Sequence, residues 1–355
     1  GGITPVLFDL PFLTDRGHVA ALDAAWLDQV LQALASSERA VVGAVLVQPT
    51  YQGYAVDPQP LVAALQGQGL PVLVDEAHGS HLLPGVDPQL PQSALHAGAD
   101  LVVHSLHKSS TALGQCAVLW CQGPRVDPEQ VERSLGWLQT SSPSALLLAS
   151  CEASLADWQT TAGRVRLARR LQQGRALQSR LRSDGLPLLP TIDPLRLILH
   201  TAPAGRSGLD VADWMMQWGL VAELPEPGCL TFCLGFGRHP GLGRRLMRAW
   251  RKLLREQIPP AASPFFMPPP LPLLSSPALA IPSPTAIAAP SLHGVRGCCC
   301  PSACFEQITV VSPKDHCPWF SRVSRGQRQW VIASCAADAQ RPCVCLQLSA
   351  CSLLA

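Results

Sequence analysis

Two apolar segments of the sequence each end in a group of side chains that can do chemistry. Residues 71–74 (PVLV) lead directly into Asp75 and His78, and residues 101–103 (LVV) lead into a group that contains Lys108. A lysine amine can form a covalent bond with a carbonyl carbon, and a carboxylate can keep a ring nitrogen protonated. The two segments together therefore carry the groups of a site that works on a carbonyl compound.

The same groups meet the requirements of a pyridoxal phosphate enzyme. Such an enzyme needs an amine for the aldehyde, a carboxylate for the pyridine nitrogen and short donors for the phosphate. Lys108 could supply the amine and Asp75 the carboxylate, while Ser105 and His107 could donate to the phosphate. Each residue also has a structural alternative, because most lysines are on the surface and an aspartate after a strand can cap a turn or a helix.

Other kinds of site are weaker interpretations of these residues. Asp75, His78 and His81 are closely spaced, as metal ligands can be, but the segment offers no convincing further ligands to complete a metal site. A serine hydrolase is disfavoured because the sequence has no G-x-S-x-G elbow. Farther along, Glu223 is a possible partner for a cationic substrate group, although an exposed structural glutamate is the commoner case.

The elements that must position these groups alternate between strand-like and helix-like segments over residues 1–125. Apolar strands separated by helices predict an α/β fold with a mostly parallel sheet flanked by helices. Ligands of such sheets collect at the carboxyl ends of the strands, where both groups lie. The predicted helices are 22–34, 60–70 and 90–99, and the predicted strands lie within 40–50, 71–79, 100–108 and 114–121.

The rest of the chain divides into segments of different composition. Residues 1–184 are predicted to form the major domain, and 185–258 a smaller α/β unit. A linker with 11 prolines follows at 259–290, and a Cys-rich tail occupies 291–355. Within these blocks we expect helix over 128–184 with a break at 140–144, strands at 195–200 and 229–237, and a helix at 208–219.

The tail has a composition unlike that of the preceding residues. It holds nine of the 14 cysteines, without the paired C-x-x-C spacing of a zinc site and without sustained helical or strand periodicity. We therefore expect an irregular, disordered segment, and our hypothesis is that a frameshift recoded it.

Charge and hydropathy exclude several classes of partner. The net charge is only +2 and no long basic run occurs, which disfavours nucleic acid. No apolar run is long enough to span a bilayer, so we expect a soluble, cytoplasmic protein. The most basic stretch, 164–182, is predicted to be a solvated helix whose apolar face is formed by Val165, Leu167, Leu171, Leu177 and Leu181.

Five segments, in order and with matching spacing, resemble the Orn/Lys/Arg decarboxylase family of fold-type I pyridoxal phosphate enzymes. They read PTYQG, VLVDEAHGSH, ALHAGADLVVHSLHKSSTALGQ, LQTSSPSALLLASCEA and GLVAELPEPGCLTFCLGFG. The resemblance extends from near the start of the chain to about residue 285. It implies decarboxylation of lysine, arginine or ornithine to CO2 and an amine of polyamine biosynthesis.

The resemblance also implies roles for individual residues. Lys108 would form the internal aldimine with pyridoxal 5'-phosphate, and Asp75 would pair with the pyridine nitrogen. Ser105 and His107 match the family's residues on the phosphate side. No metal is implied.

Further matched positions lie near the cofactor ring and in a loop that crosses to a second subunit. Ala77 and His78 match positions packed beside the ring. Thr140, Ser141 and Ser142 match a stretch that reaches the phosphate of the neighbouring subunit, which implies a homodimer. Thr50 and Tyr51 lie in the loop after the preceding strand.

The sequence departs from the family pattern at both ends. Relatives carry, upstream of the position of Gly1, a loop that cradles the phosphate and a histidine that stacks on the ring, and neither has a counterpart here. Downstream, the resemblance stops where the Cys-rich tail begins. These departures leave a non-catalytic remnant as one alternative. Another fold-type I enzyme, such as an aminotransferase or aldolase, is a second alternative, because such enzymes share the aspartate and the lysine.

Overall fold

A computed structural model describes residues 8, 10–35, 40–237 and 239–256, together with the backbone of two strands at 306–308 and 344–350. The strands are β1 Phe12–Leu13, β2 His18–Val19, β3 Ala44–Val47, β4 Val72–Asp75, β5 Leu101–Ser105, β6 Cys116–Cys121, β7 Leu188–Leu189, β8 Arg196–His200, β9 Leu224–Pro225, β10 Cys229–Cys233, β11 Glu306–Ile308 and β12 Val344–Ala350. The helices are α1 Ala24–Ala35, α2 Pro58–Gly67, α3 Leu106–Ser109, α4 Pro128–Leu138, α5 Ala145–Gln159, α6 Thr161–Ser183, α7 Gly208–Met216 and α8 Leu242–Arg255.

The larger sheet has the strand order β11-β12-β6-β5-β4-β3. Strands β3, β4 and β5 are parallel, as predicted, whereas β6 runs antiparallel to β5. The connection between β5 and β6 contains only the one-turn helix α3. A parallel crossover needs a dozen or more residues, so this short connection imposes the antiparallel direction. The sheet is therefore mixed.

Burial in this sheet is uneven from strand to strand. Every residue of β6 is buried, and in β4 the alternate residues Val72 and Val74 are fully buried. Strand β3 instead leaves Val45 69% and Val47 55% exposed. In the described part of the chain, the face of β3 that carries Val45 and Val47 is therefore uncovered.

Residues 90–99 form a turn, so the predicted helix there is wrong. The turn is organised by the buried carboxylate of Glu76, which accepts hydrogen bonds from the Ser93 hydroxyl and from the Ala94 backbone N–H at 3.0 Å. Side-chain acceptors of this kind offer the backbone an alternative to a helix.

Glu76 also receives a hydrogen bond from His104, whose donating nitrogen is determined by a second hydrogen bond. The indole N–H of Trp120 donates to His104 Nδ1 at 3.0 Å, so this nitrogen carries no hydrogen. His104 Nε2 then donates to Glu76 Oε2 at 2.8 Å. Glu76 is fully buried, and its neighbour Asp75 projects to the other side of the strand. The two adjacent acids therefore have different surroundings.

The helical segment 128–184 is confirmed, with one break more than predicted. The expected break at 140–144 separates α4 from α5, and a second break at Thr160 separates α5 from α6. The Thr160 hydroxyl caps α6 by accepting from the Gly163 N–H at 2.9 Å. In α6, Leu167, Leu171 and Leu181 are buried but Val165 is 54% exposed, so its predicted place on the apolar face is wrong.

A second sheet, β7-β8-β10-β9, is antiparallel throughout. It packs with α6, α7 and α8 around a separate hydrophobic cluster that includes Leu197, Met215, Leu230 and Trp250. The predicted strands and helix of this smaller unit are confirmed, with ends shorter by a few residues. The division of the whole chain into four segments stays a prediction.

Two short strands of the Cys-rich tail are described, and both pair with β6. The Pro-rich segment 259–290 and the remainder of the tail lie outside the described residues. The frameshift hypothesis concerns the tail and stays a hypothesis. Over the described part of the chain, no helix combines the length and apolar character that a bilayer crossing requires.

Candidate active site

The two groups of ionisable residues lie at the same edge of the larger sheet. Strand β4 ends at Asp75 and the adjacent parallel strand β5 ends at Ser105, with Asp75 paired to Val103. Asp75 Oδ1 accepts a hydrogen bond from the Ala77 N–H at 3.0 Å, which turns the chain sharply after the strand. The predicted meeting of the strand ends is therefore observed. We call Asp75, Ala77, His78, Ser105, His107 and Lys108 the strand-end site.

The second group is carried by the short helix α3, which begins directly after β5. Ser105 is buried at the start of α3, and the His107 ring nitrogen Nδ1 lies 3.0 Å from the Cys116 carbonyl oxygen, to which it donates. Lys108 is exposed. An exposed amine at a strand end is accessible to an aldehyde from solvent.

His78 is a residue of the strand-end site whose pKa is changed by its surroundings. Its pKa is lowered to about 3, first by burial and then by the positive charges of Arg196 and Lys108. The ring of Tyr51 packs on it with centroids 4.1 Å apart. His78 follows Asp75 by three residues at the end of β4, and Lys108 follows the end of the adjacent strand β5, so both groups lie at neighbouring strand ends.

The hydrogen bonds of His78 determine which nitrogen carries its hydrogen. Arg196 Nη2 lies 3.1 Å from His78 Nδ1, and a guanidinium can only donate. Nδ1 is therefore the acceptor and Nε2 carries the hydrogen. Nε2 is buried and has no hydrogen-bond partner among the described residues. A buried N–H without an acceptor is costly, so this atom indicates a place for an oxygen of a bound molecule.

Arg196 itself is held by a buried cluster that joins the two sheets. Its side chain is 3% exposed and lies 3.6 Å from Asp193, which in turn lies 3.3 Å from His81 Nε2. Burial alone would raise the pKa of Asp193, but His81 and Arg196 together lower it well below the usual range. We call His81, Asp193 and Arg196 the bridge cluster.

The loop after β3 is packed tightly against the bridge cluster. Arg196 Nε donates to the Tyr51 carbonyl oxygen at 3.1 Å, which fixes the loop beside His78. Gly53 has φ +82, and a Cβ there would lie 2.7 Å from Arg196 Cγ and 2.8 Å from Asp193 Cβ. Only glycine fits this approach. Arg196 therefore holds both this loop and His78 in position.

The carboxylate of Glu223, the residue directly before β9, contacts Tyr51 of the loop after β3. The Tyr51 hydroxyl donates to Glu223 Oε1 at 3.4 Å, and both side chains are exposed. Since the Tyr51 ring contacts His78, Glu223 lies one side chain away from the strand-end site.

The loop between α4 and α5 carries Thr140, Ser141 and Ser142, all exposed. The Thr140 hydroxyl accepts from the Ser142 N–H at 3.2 Å, so the described hydrogen bonds of these residues are internal to the loop. No hydrogen bond described for these three residues joins them to the strand-end site of the same chain. Their predicted role at the site of a neighbouring subunit stays a prediction.

The sequence does not predict the roles of Arg196, Asp193 and His81. The signal available was a single arginine at the start of an otherwise apolar strand, preceded by an aspartate three residues earlier. Of the histidines considered as metal ligands, His78 accepts a hydrogen bond from Arg196, and His81 Nε2 lies 3.3 Å from Asp193 Oδ1. Within the described residues, no group of three or more His, Cys, Asp or Glu side chains could hold a metal ion.

The strand-end site fits the cofactor that the sequence predicts. It offers a carboxylate at a strand end, an accessible amine and a buried imidazole N–H that no described residue accepts. These groups suit a protonated ring nitrogen, an aldehyde and an oxygen substituent, respectively.

We expect Arg196→Met to raise the pKa of His78. The substitution removes the donor to Nδ1 and one positive charge, while burial keeps the pKa below the ordinary value of 6.5. The unfolded chain protonates this imidazole near pH 6.5 and the folded chain only near pH 3, so folding stability falls as the pH decreases across that window. In the variant the folded-state pKa of His78 lies closer to 6.5, so the free energy of unfolding falls over a narrower pH range. NMR titration of ¹⁵N-labelled histidines measures the pKa, and Arg133→Met in α4 is the control. An unchanged pKa in Arg196→Met would contradict the assignment.

Comparison with known proteins identifies the family. The family model described as "Orn/Lys/Arg decarboxylase, major domain" matches residues 15–195. An arginine decarboxylase of Halalkalibacterium halodurans is 33% identical over 207 residues, which cover 55% of this chain and 42% of the relative. The uncharacterised protein YaaO of Bacillus subtilis is 31% identical over 227 residues, covering 61% of this chain and 46% of the relative. The chain thus spans less than half the length of these relatives.

Solved structures agree at the level of the fold. The constitutive lysine decarboxylase of E. coli superimposes with a TM-score of 0.53 and 18% identity, over 68% of this chain and 41% of that one. The lysine decarboxylase LdcF of Francisella novicida gives 0.52 and 15%, over 66% and 39%. The fold is that of the fold-type I pyridoxal phosphate enzymes, and the chain belongs to the Orn/Lys/Arg decarboxylase family.

Proposed function

We propose that this chain forms the cofactor-binding part of a pyridoxal phosphate-dependent decarboxylase that acts on a basic amino acid, arginine first among them. The observation that carries the proposal is the strand-end site, in which Asp75, His78 and Lys108 occupy one sheet edge within the segment that matches the family. The arginine decarboxylases among the relatives support arginine over lysine or ornithine. The product would then be agmatine, an amine of polyamine biosynthesis.

Each residue of the strand-end site would have a distinct task. Lys108 is the amine that attaches the cofactor covalently, and Asp75 holds the proton of its ring nitrogen. The N–H at His78 Nε2 donates to a ring or substrate oxygen, and Arg196 keeps it oriented. Ser105 would donate to the phosphate from the start of α3. His107 would do so through Nε2 only as an imidazolium, because its Nδ1 hydrogen is donated to the Cys116 carbonyl oxygen. When bound, the cofactor supplies the electron sink for the electrons left by the departing carboxylate.

Substitution of Lys108 tests the proposal most simply. Lys108→Arg keeps the charge but cannot attach the cofactor, so we expect CO2 release from arginine to fall by at least about a thousandfold. Asp75→Asn should lose most of the activity because the ring nitrogen loses its proton. Asp57→Asn, at the exposed start of α2, is the control and should be unaffected.

The products of the same assay separate the alternative functions. Release of a keto acid or an aldehyde without CO2 would indicate an aminotransferase or an aldolase. Cofactor binding with no product from arginine, lysine or ornithine would indicate a non-catalytic remnant. Either outcome would contradict decarboxylation by this chain.

Glu223 is the residue that we propose to recognise the cationic end of the substrate. It is the carboxylate that Tyr51 links to His78, and its exposed position leaves room for a guanidinium. A charged hydrogen-bonded pair of this kind contributes about 1.5–3 kcal/mol.

We expect Glu223→Gln to raise KM for arginine roughly tenfold, with a smaller change in kcat, because the carboxylate contacts the side chain and not the reacting carbon. Steady-state CO2 release measures both constants. Glu129→Gln, at an exposed position in the first turn of α4, is the matched control. An unchanged KM in Glu223→Gln would remove Glu223 from substrate recognition.

We also infer that the chain acts as a homodimer. The loop with Thr140, Ser141 and Ser142 is flanked by exposed apolar side chains, with Trp137 87%, Leu138 71% and Leu146 68% exposed. A patch of this kind on a soluble protein indicates an interface. The five described cysteines are free thiols, which supports a cytoplasmic location for the same protein.

Sedimentation equilibrium tests the dimer. The chain should sediment as a dimer, and Trp137→Glu should shift it to a monomer because a charge would be buried without a partner. Val165→Glu, at an exposed apolar position in α6, is the control and should stay dimeric. A monomeric wild-type chain at micromolar concentration would contradict the inference.

A further inference from the structure

A large cleft opens between α6 and α8, outside the strand-end site. Its volume is about 970 Å³, and none of its lining residues belongs to the strand-end site or the bridge cluster. Clefts of this size commonly hold small molecules.

The charge of the cleft is strongly positive. One carboxylate, Asp184, faces six cationic side chains, whereas the whole chain has a net charge of only +2. Five of the six cations lie on α8, whose opposite face is buried in the core. The six are Arg180, Arg244, Arg248, Arg251, Lys252 and Arg255.

Most of these cations have no anionic partner within the described residues. Arg180 lies 3.7 Å from Asp184, and Lys252 lies 3.4 Å from Glu256. The other four form no ion pair with a described carboxylate. Like charges three or four residues apart repel each other along a helix. An anion between α6 and α8 would therefore relieve repulsion that the folded chain otherwise carries.

The walls of the cleft are held in place before any ligand binds. The guanidinium of Arg248 lies 5.6 Å from the centroid of the Trp218 ring, and the Lys252 amine lies 5.2 Å from it. The Trp214 indole N–H donates to the Ala249 carbonyl at 2.9 Å, which fixes α7 on α8. At Gly243, an added Cβ would lie 3.1 Å from Leu177 of α6. Binding of a ligand would therefore cost little side-chain entropy in the cleft.

The chemistry of the cleft selects the ligand. Planar guanidinium groups favour phosphate oxygens, which they bind in pairs. From Arg244 to Arg255 the helix spans roughly 16 Å, the reach of a few phosphate groups. Two cations lie over Trp218, so its ring does not offer the stacking platform that single-stranded nucleic acid uses. We propose that this basic cleft binds a compact small molecule that carries several phosphate groups.

Calorimetric titration of the purified full chain with sodium tripolyphosphate tests the proposal. We expect saturable binding of one molecule per chain that weakens as salt is raised. The double variant Arg244→Gln, Arg248→Gln should weaken it by at least about tenfold, because two charged hydrogen-bonding groups are lost while helix propensity is kept. Arg133→Gln and Arg169→Gln, at exposed positions on α4 and α6, are matched controls.

Three outcomes would overturn the proposal. The first is no saturable binding of tripolyphosphate at millimolar concentration. The second is an equal loss of affinity in the control variants, because binding would then depend on the net charge of the chain and not on the cleft. The third is binding of a short single-stranded RNA by the cleft without binding of tripolyphosphate. Circular dichroism of each variant establishes that it is folded.

Discussion

The hydrogen bond from Arg196 to His78 is the interaction on which the proposed site depends. It joins residues that are 118 positions apart in the sequence, and it connects the second sheet to the strand end of the first. A buried guanidinium without a partner would cost several kcal/mol, so Asp193 and His81 must accompany it. The result is an imidazole of fixed tautomer, with a pKa lowered by burial and by two positive charges. That imidazole keeps a buried N–H at Nε2 for which the described residues offer no acceptor.

Strand alternation gives two adjacent acids opposite roles. Asp75 ends β4 on the side of the strand-end site, whereas Glu76 is fully buried and accepts from Ser93, Ala94 and His104. Asp75 is therefore available to a ligand, while Glu76 organises the turn that precedes β5. The same separation of tasks applies to the cations, since Lys108 is exposed and Arg196 is buried.

The sequence predicted what local periodicity controls and missed what long-range contacts control. The parallel strands β3, β4 and β5, and the meeting of Asp75 with the end of β5, follow from apolar runs separated by a helix or a long connection. The direction of β6 depends on the length of one connection, and the turn at 90–99 depends on a carboxylate 17 residues earlier in the chain. Arg196 could not be paired with His78 from its spacing, because their contact exists only once the two sheets are assembled.

The most direct test of one shared site is the identity of the lysine that holds the cofactor. The sequence contains three lysines, at positions 108, 252 and 314. Incubation with pyridoxal phosphate, reduction with borohydride and peptide mapping by mass spectrometry should place the label on Lys108, and Asp75→Asn should reduce its yield. Label on Lys252 or Lys314 at equal or greater yield would contradict the account.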